Sequence, residues 1–180
     1  MMNHLQKAAT EPLEQLRTII QSIRAEGNII EYYVNSGAGV HVRHILDYYH
    51  ALQNGLSSGH IDYNSRHRGS AVESDPVTAV ETIDVLTLWN NLPDIQSNTA
   101  VTIDSEISCE VTCPCSFNST AGREFLYIID HSVHHIAHIS LLLRQCNFKL
   151  DQRFGLAPGT ASYLRNKGTQ VAAEVDLCAR

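Results

Sequence analysis

The segment HSVHHIAHI, residues 131 to 139, holds four imidazoles within eight residues: His131, His134, His135 and His138. Imidazole ligates transition metals, moves protons and titrates near neutral pH, so this density points to metal or acid–base chemistry. His131 and His135 stand four apart, which on a helix places both rings on one face, a standard pair of transition-metal ligands. A third imidazole from a neighbouring helix would complete the set, and three such ligands favour zinc, nickel or ferrous iron over magnesium or calcium. With three protein ligands, coordination positions stay open for water or a substrate, the pattern of a catalytic rather than a structural site. Water on such an ion loses its proton near neutral pH, a nucleophile that needs no serine or cysteine.

Those rings need a rigid support. REFLYIID precedes them and an apolar run comes after, with no proline or glycine between Glu124 and Arg144, so the stretch predicts one long helix. At about 100° per residue with His131 at zero, His135 falls near +40°, His138 near −20° and His134 near −60°. Glu124, Tyr127, Ile128, Leu142 and Gln145 fall within about 60° of the same line. An imidazole-lined band thus stands where an apolar stripe is expected, and desolvating several imidazoles is unfavourable unless each finds a partner.

The partner helix is predicted over 37–56, GAGVHVRHILDYYHALQNGL, ending at Ser57-Ser58-Gly59. With His44 at zero, Val40 and Tyr48 lie within about 40°, Ala51 near −20°, His41 near +60° and Asp47 near −60°, while His50 points away. His44 is therefore the candidate third ligand, with Asp47 one turn on to orient a neighbouring group. His134 is left out of the set. His138, one turn beyond His135, and Glu124, two turns earlier, are the candidate catalytic groups beside it. A single core-facing histidine is usually hydrogen-bonded filler; four in eight residues, facing another from a second helix, tip the balance to a metal.

The rest of the chain supplies the frame. Leu5 to about Glu26 has apolar residues at three- and four-residue steps, an amphipathic helix closed by Gly27, with Pro12 marking a first turn after a short leading segment. Residues 59–75 read as a polar loop; substrate contacts are usually carried on loops, but a polar loop is more often merely solvated. Asp75-Pro76 opens a third helix to about residue 91, ended by Leu92-Pro93-Asp94. Residues 99–113 alternate around Asp104-Ser105-Glu106, a turn composition, and predict a β-hairpin that must lie against the helices. Cys109, Cys113 and Cys115 make a poor zinc knuckle without a partner pair and read as a small apolar strand face. Asn118, Ser119 or Thr120 can cap the long helix, and after Gly-Leu-Ala-Pro-Gly at 155–159 one short helix is expected.

The 180 residues fit one domain, 1–180, and 43% hydrophobic with 18% charged residues is ordinary for a globular protein. A net charge of −6 argues against nucleic-acid binding driven by phosphate attraction. No signal-peptide pattern and no apolar run of about 20 residues appear, so no membrane association and a cytoplasmic address are expected. Five scattered cysteines do not form a disulfide framework.

VRHILDYYHAL at 42–52 and REFLYIIDHSVHHIAHISLLLRQ at 123–145 resemble the DinB-like superfamily. The resemblance implies an all-α, up-down four-helix bundle, here with a small β-hairpin before the last long helix. Matching the family's one histidine on the second helix and two, four apart, on the last gives His44, His131 and His135 as ligands of a divalent metal. Where many relatives carry glycine and glutamine after the paired histidines, this chain has Ala137 and His138. The resemblance further implies transfer of low-molecular-weight thiols or metal-dependent hydrolysis, a small-molecule substrate and a homodimer. A bundle that binds metal without turnover, as a sensor, store or stress-response protein, is the alternative of a different class. Arg43, Arg66, Arg68 and Arg123 are the cations that could converge on an anionic thiol.

Overall fold

The structure, a computed structural model, describes residues 2–92 and 95–178, with side chains over 4–92 and 95–168. Helix α1, Met2–Glu26, buries Ala9, Leu13, Leu16, Ile19, Ile20 and Ile23 along one stripe, and Gly27, at φ 88°, turns the chain out of it. Pro12 does not open this helix, contrary to the sequence reading; it sits inside. Proline removes the ladder bond to the Ala8 carbonyl, but Pro12 is buried and the Tyr49 hydroxyl donates to the next carbonyl, Ala9 O, at 2.6 Å. Packing and this outside donor offset the lost bond.

A π-helical turn, Ile30–Asn35, leads into α2, Ala38–Ser58. Two glycines of α2 set what packs on it. A Cβ on Gly39 would lie 2.1 Å from the Glu73 carbonyl oxygen, and one on Gly55 would lie 2.3 Å from the Ile61 side chain. Only glycine lets those segments close on the helix. Helix α3, Pro76–Asn90, starts as its sequence predicts, with the Asp75 carboxylate accepting from the N–H groups of Val77 (2.9 Å) and Thr78 (3.3 Å). Pro93 and Asp94, expected to end it, lie outside the described residues. Helix α4, Ala121–Gln145, is capped by Thr120, whose hydroxyl oxygen accepts from Arg123 N–H at 3.4 Å. Helix α5, Pro158–Cys178, is longer than the short helix expected, because Gly168 inside a helix-forming run costs only about 1 kcal/mol.

Helices α1 and α2 each pack on both α3 and α4. Leu16 and Ile20 of α1, Ile45 and Leu52 of α2, Ile83 of α3 and Phe125 of α4 meet in one core. The fold is mostly helical, with a small sheet of three strands rather than the two expected. Strands β1 (His60–Asp62), β2 (Ala100–Glu106) and β3 (Pro114–Thr120) lie in that order, β1 parallel and β3 antiparallel to β2. Strand β1 falls in the segment read as polar loop. Asp104-Ser105-Glu106 is strand, not turn: Asp104 pairs opposite Asp62 and Ser116, and its carboxylate takes hydrogen bonds from His60 and Ser116. The hairpin turns later, through 107–113, so Ile107 and Val111 are exposed and form no apolar strand face. Among the described residues no helix is long and apolar enough to cross a membrane.

Candidate metal centre

Helices α2 and α4 pack side by side and turn their histidines toward each other. His131 Nε2 lies 3.1 Å from His44 Nε2. One ring nitrogen from each of His44, His131 and His135 lies within 4.8 Å of the others. The three residues chosen from the sequence are thus brought together, from two helices, at one point.

The rings are electrostatically prepared as ligands. Burial, with His131 and Arg66 next in effect, holds the His44 pKa at about 4. Burial and Arg66 hold His131 at about 4. Burial and the neighbouring imidazoles His131 and His44 hold His135 at about 3. Neutral imidazoles whose nitrogens face one another at contact distance present lone pairs that no proton can satisfy for all of them together. A cation among them would satisfy them all, so the donor set fits a transition metal.

His41 is the residue the sequence left without a role. Its Nδ1 lies 2.9 Å from Nδ1 of His135, a bond that fixes the orientation of the His135 ring in the way outer partners orient metal ligands. His41 and His44, three apart on α2, carry the signal that could have found it. His138 is exposed and reaches His41 (ring centroids 5.6 Å apart) and His134 (4.7 Å), and stands 6.2 Å from His135. It lies at the outer edge of the cluster, while His134 is exposed.

At the other end a tyrosine layer closes the site. The Tyr48 ring stands 4.1 Å from His131, stacks on Tyr63 at 5.0 Å and meets Tyr127 edge-on at 5.8 Å. Glu124 lies behind this layer rather than beside the triad. It is fully buried and accepts from the Tyr63 hydroxyl (2.8 Å), the Ser119 hydroxyl and Arg123 Nη1 (3.3 Å). Arg66 covers the Tyr48 ring at 4.6 Å and donates to its hydroxyl at 3.1 Å, and Arg123 covers Tyr127 at 4.9 Å. Arg43 turns the other way, to Asp47 and Glu73, and Arg68 is exposed. Asp47 likewise serves the far side of α2, where it accepts from His67 Nδ1 at 2.7 Å.

No family model matches the chain, and no solved structure matches it. Over 113 residues it is 26% identical to FK506-binding protein 5 of Rhizopus delemar, a similarity that covers 59% of this chain and 28% of that protein. The chain therefore spans well under a third of that relative's length.

Proposed function

We propose that the chain is a DinB-like up-down four-helix bundle whose three histidines bind a divalent transition metal, and that it transfers low-molecular-weight thiols. The observation that carries the reading is the meeting of His44, His131 and His135 within 4.8 Å. The placement of each of α1 and α2 against both α3 and α4 supports the bundle. The FK506 binding named for the Rhizopus protein does not enter, since the matched part is 28% of that chain.

When bound, the ion would supply Lewis acidity that lowers the pKa of a thiol or of water. The chain's own residues do the rest. His41 holds the ring of His135, and the Tyr48, Tyr63 and Tyr127 rings shield one side from solvent. Arg66, stacked on that layer, puts a positive charge on the rim, while Arg123 beside it is paired with Glu124. The Arg66 cation favours an anionic thiol over the second reading, a hydrolase for which His138 at the open edge would move the proton.

A homodimer belongs to the proposal; sedimentation of the native chain tests it, and a monomer overturns this part.

Elemental analysis of the purified protein beside His44→Ala, His131→Ala and His135→Ala tests the premise of both enzyme readings. About one transition metal per chain, lost in each variant, is expected; variants that keep their full metal overturn it. Metal-dependent turnover in a panel of thiols with electrophiles supports the transferase, turnover of esters or amides alone supports the hydrolase, and metal binding without any turnover supports the sensor or store.

A further inference from the structure

The thiols of the β2–β3 connection lie outside the histidine site, and the local geometry gives them a use. Register pairs Glu106 with Pro114, and the ladder runs one step further, Ile107 N–H donating to the Cys113 carbonyl at 3.3 Å. The Cys113 N–H donates to the Glu106 carboxylate. Cys113 is therefore fixed on both sides of its backbone, and Pro114 after it keeps it extended. In an extended chain residues two apart project to the same face, which makes the Cys113 and Cys115 thiols neighbours, and burial followed by the Cys113 thiol raises the pKa of Cys115. Both are free and partly exposed, so the pair is open to solvent. Cys109, also free and exposed, sits at the hairpin tip, where the Ser108 hydroxyl accepts from Glu110 and Val111 N–H, each at 3.2 Å.

Magnitude decides between a disulfide and an ion. Two residues along a strand span about 6.6 to 6.8 Å between Cα atoms, the far limit for a disulfide, whose Cα separation centres on about 5.5 to 6 Å. An ion with metal–sulfur bonds near ~2.3 Å separates two sulfurs by up to about 4.6 Å, which relieves that stretch. The three thiols and nearby carboxylates form no preassembled group of three ligands; among the described residues only the histidine triad does. A hard or tetrahedral ion is thus poorly served, and a soft ion content with two sulfurs is well served.

We propose that Cys113 and Cys115 form a two-thiolate clamp for a soft monovalent cation, copper(I). Each thiol releases its proton to solvent as its sulfur binds the ion, and no electron is transferred. The clamp is independent of the histidine site and of the activity proposed for it.

Titration of the fully reduced protein with copper(I) against a chromophoric copper(I) chelator tests this. The expected result is one ion captured per chain, with affinity falling more than about 100-fold in Cys113→Ser and in Cys115→Ser, since loss of a ligand exceeds the 10- to 100-fold cost of losing an outer partner. Capture should be unchanged in Cys146→Ser and in His44→Ala. Cys113 lies in the β2–β3 connection and Cys115 at the start of β3, both partly exposed, and an unchanged far-ultraviolet circular dichroism spectrum verifies the fold. Capture that survives both serine variants, or that disappears in His44→Ala, overturns the clamp. So does a reduced native chain that takes no ion while air converts Cys113 and Cys115 into a disulfide.

Discussion

Protons and metal ions compete for the same imidazole lone pairs, so the pH at which affinity fails reports how the site treats its ligands. Three ordinary imidazoles, with pKa about 6.5, would each be about ten-to-one protonated at about pH 5.5, and the apparent metal affinity would fall about a thousandfold from its neutral value. In this chain burial holds His44 and His131 at about 4 and His135 at about 3. At about pH 5.5 all three stay neutral and the loss is under about 10%. The rings are about half buried, and solvent screening weakens such effects; halving every shift still leaves a loss of only about threefold. The sign is fixed: lowering a ligand's pKa moves proton competition to more acid solution, so affinity stays flat from pH 8 to about pH 5 and then falls. Competition titration with a chelator of known pH dependence, on metal-stripped protein, reads this directly. A fall that begins near pH 6.5 and reaches two to three orders of magnitude by about pH 5.5 refutes the convergence of neutral rings.

Three other substitutions separate the parts of the site. His41→Ala removes the partner of His135 Nδ1 and should weaken metal binding about 10- to 100-fold without changing stoichiometry; unchanged affinity in the same titration removes His41 from the centre. Tyr63→Phe leaves the fully buried Glu124 one donor short and should cost about 1.5 to 3 kcal/mol in urea unfolding, with metal affinity unchanged; a neutral substitution shows that Ser119 and Arg123 satisfy the carboxylate alone. Asp47→Asn strips the buried Arg43 of one of its two carboxylate partners and should destabilise by about 3 kcal/mol while sparing the metal. A loss of metal in that variant would mean that Asp47 orients the histidine triad after all.

The parts of the site legible in the sequence are those fixed by one helix at a time. His131 and His135 share a face because 3.6 residues make a turn, and the same rotation on α2 singles out His44. What the sequence hid depends on how closely two backbones approach. His41, rotated about 60° from His44, has a function only because α2 and α4 pack near enough for its nitrogen to reach 2.9 Å from His135. Tyr63 and Arg66 look like loop residues in the sequence. They reach the site because β1 docks on α2 where Gly55 gives way to Ile61, a contact between segments that no local pattern encodes. Asp104-Ser105-Glu106 has the composition of a turn, yet in a sheet exposed on its polar face those same side chains serve as partners, Asp104 for His60 and Ser116.

Asp47 reveals how α2 divides its polar groups. Rotation alone puts it about 60° from His44, close enough to serve the triad, but its carboxylate is claimed from the other side by Arg43 Nη1 at 3.2 Å and by the N–H and Nδ1 of His67. Helix α2 therefore carries polar groups on two flanks, buried Arg43 and Asp47 on one and half-buried His41 and His44 on the other, with Ile45, Tyr49 and Leu52 packed in the core between them. A buried carboxylate that already holds a guanidinium and an imidazole has little acceptor capacity left for a histidine of the triad. The orienting bond at the candidate metal centre then falls to an imidazole, His41, which carries no negative charge to raise the pKa of His135. Low ligand pKa values and a histidine in the outer layer are thus two results of one arrangement, and replacing His41 by a carboxylate should bring proton competition back toward neutral pH.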